Sequence, residues 1–481
     1  MYFCKSVINK SNILLFVIIN LSCINNVKKG NMYMDFLLIL ENYAELASNF
    51  IWGWPIVFFI IMSGIILSFS FSFIQFSGFF NGWRILFEKR EKIKTKDISS
   101  GTISPIQAFI NALSASLGNG GLAGMAVGLV AGGPGTVFWV FILGGISMVL
   151  RFAEVYASGV FRDKNEKLQG PLVYIKRLPL GSFWIYLYSI IMLIYIFSAG
   201  ISMQTNSIGL SLQKTFNLSP NIIGLIFAIL MTYILLGGSR RIMKLSEYII
   251  PIKVAFFFLG IIILIIYHYD KIGTAIKLII DSAFTFKAAS GGMIVYTMQQ
   301  AMISGFSKAL NATEAGLGTA SIFFGATEGK SPLKMSVMSM ITAFISTNLV
   351  CAMLIFSVIL TGINMEGLTS TKLVIAAFET VFGAFAAPAI TFLTLSFGIG
   401  VMVAYTFLGF KMWDFIFGSN FKWLYMILLP FLAYLGSVAT VGLIWKSVDL
   451  LAGLLILINV SAVLWSLPTL IKSFKKDIEN K

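Results

Sequence analysis

Runs of apolar residues, each near or above the roughly 20 needed to cross a bilayer, recur through most of the chain with short connections between them. No other feature restricts the fold as strongly. Lipid leaves no partner for an unpaired backbone N–H or C=O, so a spanning segment must satisfy its own backbone, and uninterrupted apolar runs do so as helices. Eleven such runs are readable, at 51–76, 104–130, 134–160, 183–212, 220–238, 245–268, 289–309, 335–361, 384–409, 421–440 and 447–469. With 58% hydrophobic residues, 11% charged residues and a mean hydropathy of +0.89, a soluble globule of 481 residues is excluded. The expected fold class is an all-α polytopic membrane protein.

Residues 1–33 stand apart. Lys5 and Lys10 precede a short apolar stretch, 13–24, with the length of a signal-peptide core rather than a span, and Met34 opens a more ordinary beginning. Residues 1–33 are therefore read as an N-terminal extension outside the fold. Lysines and arginines orient the rest, because loops that stay in the cytoplasm carry the excess. Twenty-three fall in the alternate loops and tail assigned inside, against 6 outside: Lys214, Lys271, Lys277, Lys287, Lys372 and Lys446. The net charge of +15 thus belongs to cytoplasmic loops and needs no nucleic-acid partner. The first span starts outside and the C-terminus is cytoplasmic. The chain divides into a first span with a basic cytoplasmic loop (34–103), two groups of five spans (104–269 and 283–469) and a basic cytoplasmic tail (470–481). A cysteine placed in 86–100 is expected to react only from the cytoplasm and one in 364–370 only from outside. Reversed labelling at either site would refute the orientation.

Within the 104–130 run lies Gly118-Asn119-Gly120-Gly121, followed by Gly124. Each glycine weakens a helix by roughly 1 kcal/mol relative to alanine. Backbone opened at that depth is tolerated only against protein or a polar cavity, which is how transporters build binding sites. Close packing of small residues between helices is the other reading. Five being odd, the second group of five spans starts on the opposite side from the first, the condition for an inverted repeat. Its opening run is also interrupted: Gly291-Gly292 is followed by Thr297, Gln299 and Gln300, and glutamines in mid-span need partners.

Other chemistries have little material. Cys4, Cys23 and Cys351 are far apart, His268 is the single histidine, and HExxH, GxSxG and Walker A patterns do not occur. An enzyme is therefore not expected, and no cofactor is called for. A carrier is favoured over a channel, since no filter-like repeat appears.

An ordered series of motifs then becomes specific. Trp52-Gly53-Trp54-Pro55, Gly132-Gly133-Pro134-Gly135 with Val137-Phe138-Trp139, Phe152-Ala153-Glu154, Gly170-Pro171-Leu172-Val173-Tyr174-Ile175, Gly237-Gly238 with Arg241-Ile242, and Glu314-Ala315-Gly316-Leu317-Gly318 resemble the alanine or glycine:cation symporter family from about Asn49 to Pro468. The resemblance implies eleven spans with a leucine-transporter-like 5+5 inverted repeat and two broken helices. It also implies symport of alanine or glycine with sodium across a bacterial-type inner (plasma) membrane; a channel or facilitative exchanger is the alternative. The implied substrate contacts are Gly118, Asn119, Gly120, Gly121, Tyr405 and, in Gln204-Thr205-Asn206-Ser207, which resembles the family's Gln-x-Asn-Ser, Gln204, with helix–helix hydrogen bonding as its other reading; the mid-span polar residues Thr297, Gln299 and Gln300 are added as further substrate contacts.

Departures from the family pattern bear on the ion. The usual Gly-Thr-Gly-Asn is Gly118-Asn119-Gly120-Gly121 here, and the Ser-Thr pair that resembles the hydroxyl half of a sodium site is Gly400-Val401. An acidic residue of the eighth span is Ser346, and a tryptophan of the ninth is Tyr405. Without the two hydroxyls, sodium dependence is expected to be weaker than is usual for the family, with protons or exchange in its place. Asn119 and Thr406 are the sodium candidates that remain. Arg151 and Glu154, three apart on one helical face, are read as a structural pair or gate latch, and Glu314 as the pin of a glycine-rich inner loop. Asp449 and Glu247 are expected to be solvated or paired with Lys446 and Lys244.

Overall fold

The computed structural model describes residues 32–87, 104–162, 168–236, 238–285, 297–325, 327, 331–418 and 421–479, and for 32–39 and 238–252 the backbone alone. Among the described residues all regular structure is helical. Five helices are long and apolar enough to cross a membrane: Thr136–Val160, Gly181–Phe216, Pro332–Thr361, Ser370–Phe417 and Val441–Trp465. Three bent pairs pass the same test together: Leu40–Ile51 with Trp54–Ser70, Pro105–Ser116 with Gly120–Gly132, and Lys253–Tyr267 with Tyr269–Ala283. Pro220–Leu236 and Lys422–Val438 are apolar but shorter. The chain is a multi-pass helical membrane protein.

The first broken helix follows from its sequence. Ser104 and Gln107 close a capping box, with Oγ of Ser104 accepting from the Gln107 N–H and Oε1 of Gln107 accepting from the Ser104 N–H, both at 3.1 Å, and Pro105 occupies the first turn. The helix stops at Leu117, and the chain resumes through a wide π turn, Gly120–Gly124, before Met125–Gly132. The two halves are bent by 40°.

A second helix break lies further along the chain than the polar group at 297–300. Gly291 and Gly292 lie outside the described residues. The break lies at Glu314–Gly318, between Met298–Thr313 and Thr319–Gly325. Glu314 is in the left-handed region at φ 58°, and Gly316 and Gly318 have φ of 82° and 90°. Glycine adopts that backbone freely, whereas a glutamate there must be held by its surroundings. Glu314 is thus part of a buried helix break rather than of an inner loop. Lys308, counted among the inside charges, is buried within Met298–Thr313.

Halves of the two broken helices lie side by side and antiparallel. A Cβ at Gly132 would stand 3.0 Å from the Gln300 carbonyl oxygen, one at Gly128 3.0 Å from Cγ of Lys308, and one at Gly120 3.1 Å from Cα of Ala312. Across the break the other halves, Thr319–Gly325 and Pro105–Ser116, also pack together. Each break is therefore walled by its counterpart.

Candidate functional site

Residues 118–121 are buried, and three other helices reach them. From Gly181–Phe216 comes Gln204, whose Oε1 accepts the Asn119 backbone N–H at 3.1 Å and whose Nε2 donates to the Ala199 carbonyl at 2.9 Å. From Ala386–Phe417, the Thr394 carbonyl accepts from Nδ2 of Asn119 at 3.2 Å, and Val401 stands 2.4 Å from where a Cβ on Gly118 would be. From Pro332–Thr361, Val350 and Cys351 lie 3.4 and 3.6 Å from a Cβ placed on Gly121. Val350 and Cys351 belong to the π turn Ile345–Ala352, and Ala199 to the π turn Ile196–Ser202. Widened turns release backbone groups from the regular ladder and mark functional regions of helices. With Gly120–Gly124, three of them converge here.

Of the four polar residues 204–207, only Gln204 reaches the break. Asn206 donates to the Gly436 and Ala439 carbonyls, while Thr205 and Ser207 bond to their own helix at Ile201 and Met203. Lys253 was not expected here. Its ammonium is fully buried, donates to the Leu117 carbonyl at 3.1 Å, and lies 5.0 Å from the Phe397 ring centre. A lone lysine within an apolar run was the signal in the sequence.

The second break is held by a belt of buried side chains. Arg151 donates to the Thr313 carbonyl and pairs with Glu154 at 3.5 Å. Glu154 accepts the Gly318 N–H at 3.1 Å, and Asn459 donates to the Gly316 carbonyl at 2.8 Å. Tyr188 donates to the Leu317 carbonyl, and Tyr174 to Oδ1 of Asn459 at 2.7 Å. Glu314 accepts from Thr319 at 2.6 Å and from the Tyr405 hydroxyl. Arg151 and Glu154 thus both bond to the second break, and Glu314 and Tyr405, two residues singled out separately, are in direct contact. Asn459 and Tyr188 were not singled out in the sequence, because which break a lone mid-span amide or phenol serves is fixed only when its partner is placed.

Several expected site residues lie elsewhere. Thr297 and Gln300 form the capping box that starts Met298–Thr313, and Gln299 and Gln300 are exposed. At 1.5 Å per residue these positions are about 20 Å along the helix from Glu314. The Gln300 amide serves the helix end, not the breaks. Asn119 and Thr406 cannot share a sodium ion either, since the Asn119 side chain meets Thr394 and Thr406 is about 18 Å further along that helix. The Thr406 hydroxyl instead donates to the Met402 carbonyl at 2.7 Å. Asp449 is paired with Lys308 and Asn311 rather than Lys446, which lies 3.6 Å from Glu45. The side chains of Glu247 and Lys244 lie outside the described residues. Ser346, where an acid was expected, bonds back to the Thr342 carbonyl at 2.8 Å.

Two broken helices packed antiparallel, with buried backbone opened at each break, are the arrangement that transporters use to build binding sites. The chain belongs to the sodium:alanine symporter family, whose model matches residues 37–481. It is 30% identical over 434 residues to an uncharacterized transporter of Haemophilus influenzae, covering 89% of this chain and 94% of the relative. It is 27% identical over 442 residues to the sodium/alanine symporter AgcS of Methanococcus maripaludis, covering 90% and 95%. Among solved structures, a manganese transporter variant of Eremococcus coleocola superposes with a TM-score of 0.50 at 13% identity over 79% of this chain and 80% of that one, a likeness of fold alone.

Proposed function

We propose that the protein is a secondary transporter that imports a small neutral amino acid, alanine or glycine, by cation-coupled symport across a bacterial-type inner membrane. In this reading it has eleven spans, a 5+5 inverted repeat of the leucine-transporter kind, and a cytoplasmic C-terminus. The contact between Gln204 and the Asn119 N–H carries the proposal. That N–H stands at the start of the second half of the broken helix, where the helix dipole attracts anions. Gln204 holds the place a carboxylate would take: an incoming amino acid displaces Oε1 from the N–H and receives Nε2 as a donor. The carbonyls left free by the break receive the ammonium. Val401 above Gly118 limits the side chain to a methyl group or hydrogen. The antiparallel pairing of the half-helices supports the inverted repeat, and the name of the archaeal relative supports alanine.

The test is uptake and countertransport of labelled alanine and glycine by reconstituted protein begun at Met34, beside a panel of larger amino acids. Saturable uptake of the two small substrates with trans-stimulation is expected, and non-saturable flux would indicate a channel. Gln204→Ala is expected to raise KM about tenfold, the loss of one hydrogen bond to a charged group, while the thermal melting of the protein changes little. An unchanged KM would return Gln204 to helix packing.

A further inference from the structure

Helix Pro105–Ser116 ends at Leu117 with its last carbonyls pointing into the protein, the negative end of the helix dipole. Such an end needs a cation. Lys253 supplies one: its buried ammonium donates to the Leu117 carbonyl at 3.1 Å, and among the described residues no carboxylate pairs with it. Opposite stands Gly400, where a Cβ would be 2.8 Å from Nζ of Lys253 and 3.0 Å from Oγ of Ser114, which itself donates to the Gly400 carbonyl at 3.2 Å. Any side chain at 400 would collide with the ammonium, so the missing hydroxyl and the lysine are two parts of one arrangement.

We infer that the Lys253 ammonium is a resident cation at the junction of the first break with helix Ala386–Phe417, standing in for the sodium ion that would otherwise be carried there. The inference rests on the transport reading above and specifies its coupling. A hard cation takes oxygen ligands. This junction offers the Leu117 and Gly400 carbonyls and the Ser114 hydroxyl, all three already engaged in hydrogen bonds: Lys253 donates to the Leu117 carbonyl and Ser114 to the Gly400 carbonyl. Electrostatics weighs more heavily than ligand number: a second unit charge about 4 Å from the ammonium is repelled strongly enough to weaken its binding about a thousandfold. The lysine stays with the protein through the cycle, so substrate passes without sodium at this position.

Two measurements test the inference. In the first, the thermal unfolding of the purified protein is followed while choline chloride is replaced by sodium chloride at constant ionic strength. No sodium-specific shift is expected for the natural protein, whereas Lys253→Ala combined with Gly400→Ser and Val401→Thr is expected to gain one, as a ligand that binds only the folded state stabilises it. In the second, uptake by the natural protein is compared in the two salts. Rates within about twofold are expected, and about tenfold stimulation by sodium in the triple variant. A sodium-specific stabilisation of the natural protein that Lys253→Met leaves unchanged would overturn the inference, as would about tenfold sodium dependence of its uptake. The unfolding experiment needs no substrate. Absence of alanine and glycine uptake in both salts would therefore refute the transport reading while the sodium titration still reports on Lys253.

Discussion

Gly120→Val is expected to lower uptake at least about a hundredfold, the scale on which an ångström of displacement acts at a working site, in a protein that still inserts and folds. The reason is local. A Cβ at 120 already meets the Ala312 backbone at 3.1 Å, and a β-branched side chain adds two methyl groups with no flexible neighbour to move aside. The two broken helices would be pushed apart where their breaks cross, changing the spacing between the Asn119 N–H and Gln204. Overpacking of this kind costs about 1–3 kcal/mol, less than a folded membrane domain needs to lose to unfold. Gly121→Ala is the control, since its Cβ would make ordinary contacts at 3.4 and 3.6 Å with Val350 and Cys351. Its transport is expected to remain within about twofold of the natural protein, an easily absorbed small contact. Normal uptake by Gly120→Val, measured as initial rate per folded protein in vesicles, would reduce the glycine cluster to helix packing.

The largest loss of stability is expected from Asp449→Ala. Asp449 and Lys308 form an ion pair buried between Val441–Trp465 and Met298–Thr313. Asn311 donates to the carboxylate at 2.6 Å, Trp52 donates to the Asp449 backbone carbonyl at 2.7 Å, and the Trp445 ring lies 5.2 Å from the ammonium. Removing the carboxylate leaves the ammonium in an apolar setting without its partner, a cost of about 3–5 kcal/mol. Replacing both members by apolar residues of similar volume removes that uncompensated charge. Lys308→Met with Asp449→Leu is therefore expected to recover most of the stability lost by Asp449→Ala alone. Thermal unfolding in detergent, followed by tryptophan fluorescence, measures all three. A double variant as unstable as the single one would mean that the hydrogen bond from Asn311 to the carboxylate, rather than the charge pair, holds the two helices together.

The sites of these two predictions differ in how far they could be read from the chain. The first break was legible because glycine acts locally: Gly118, Gly120, Gly121 and Gly124 lower helix propensity wherever the segment lies. Gln204 was legible for a similar reason, as an uncharged polar residue in mid-span that had to find a partner. The family motifs added the order of the spans.

The second break shows the limit. The second group of spans is most polar at Gly291-Gly292, which lie outside the described residues, and at Thr297, Gln299 and Gln300, whereas the described chain interrupts the helix at Glu314–Gly318. A glutamate in the left-handed region is unfavourable on its own. It is stable here because Tyr405, from a residue 91 positions away, and Thr319 hold its carboxylate while Arg151, Glu154, Asn459 and Tyr188 hold the backbone around it.

Charges followed the same rule. The sequence by itself determined the class of fold, because apolar length and helix-breaking glycines are properties of neighbouring residues and lipid leaves a short menu for satisfying the backbone. It also placed Lys253, Lys308 and Asp449 in or beside apolar runs. Which of them neutralised each other, and which stood alone against a helix end, depended on contacts across 136 to 141 residues of chain. Only the tertiary structure decided that Lys308 takes Asp449 and that Lys253 faces Leu117 and Gly400, because a buried charge is defined by what is packed against it in space.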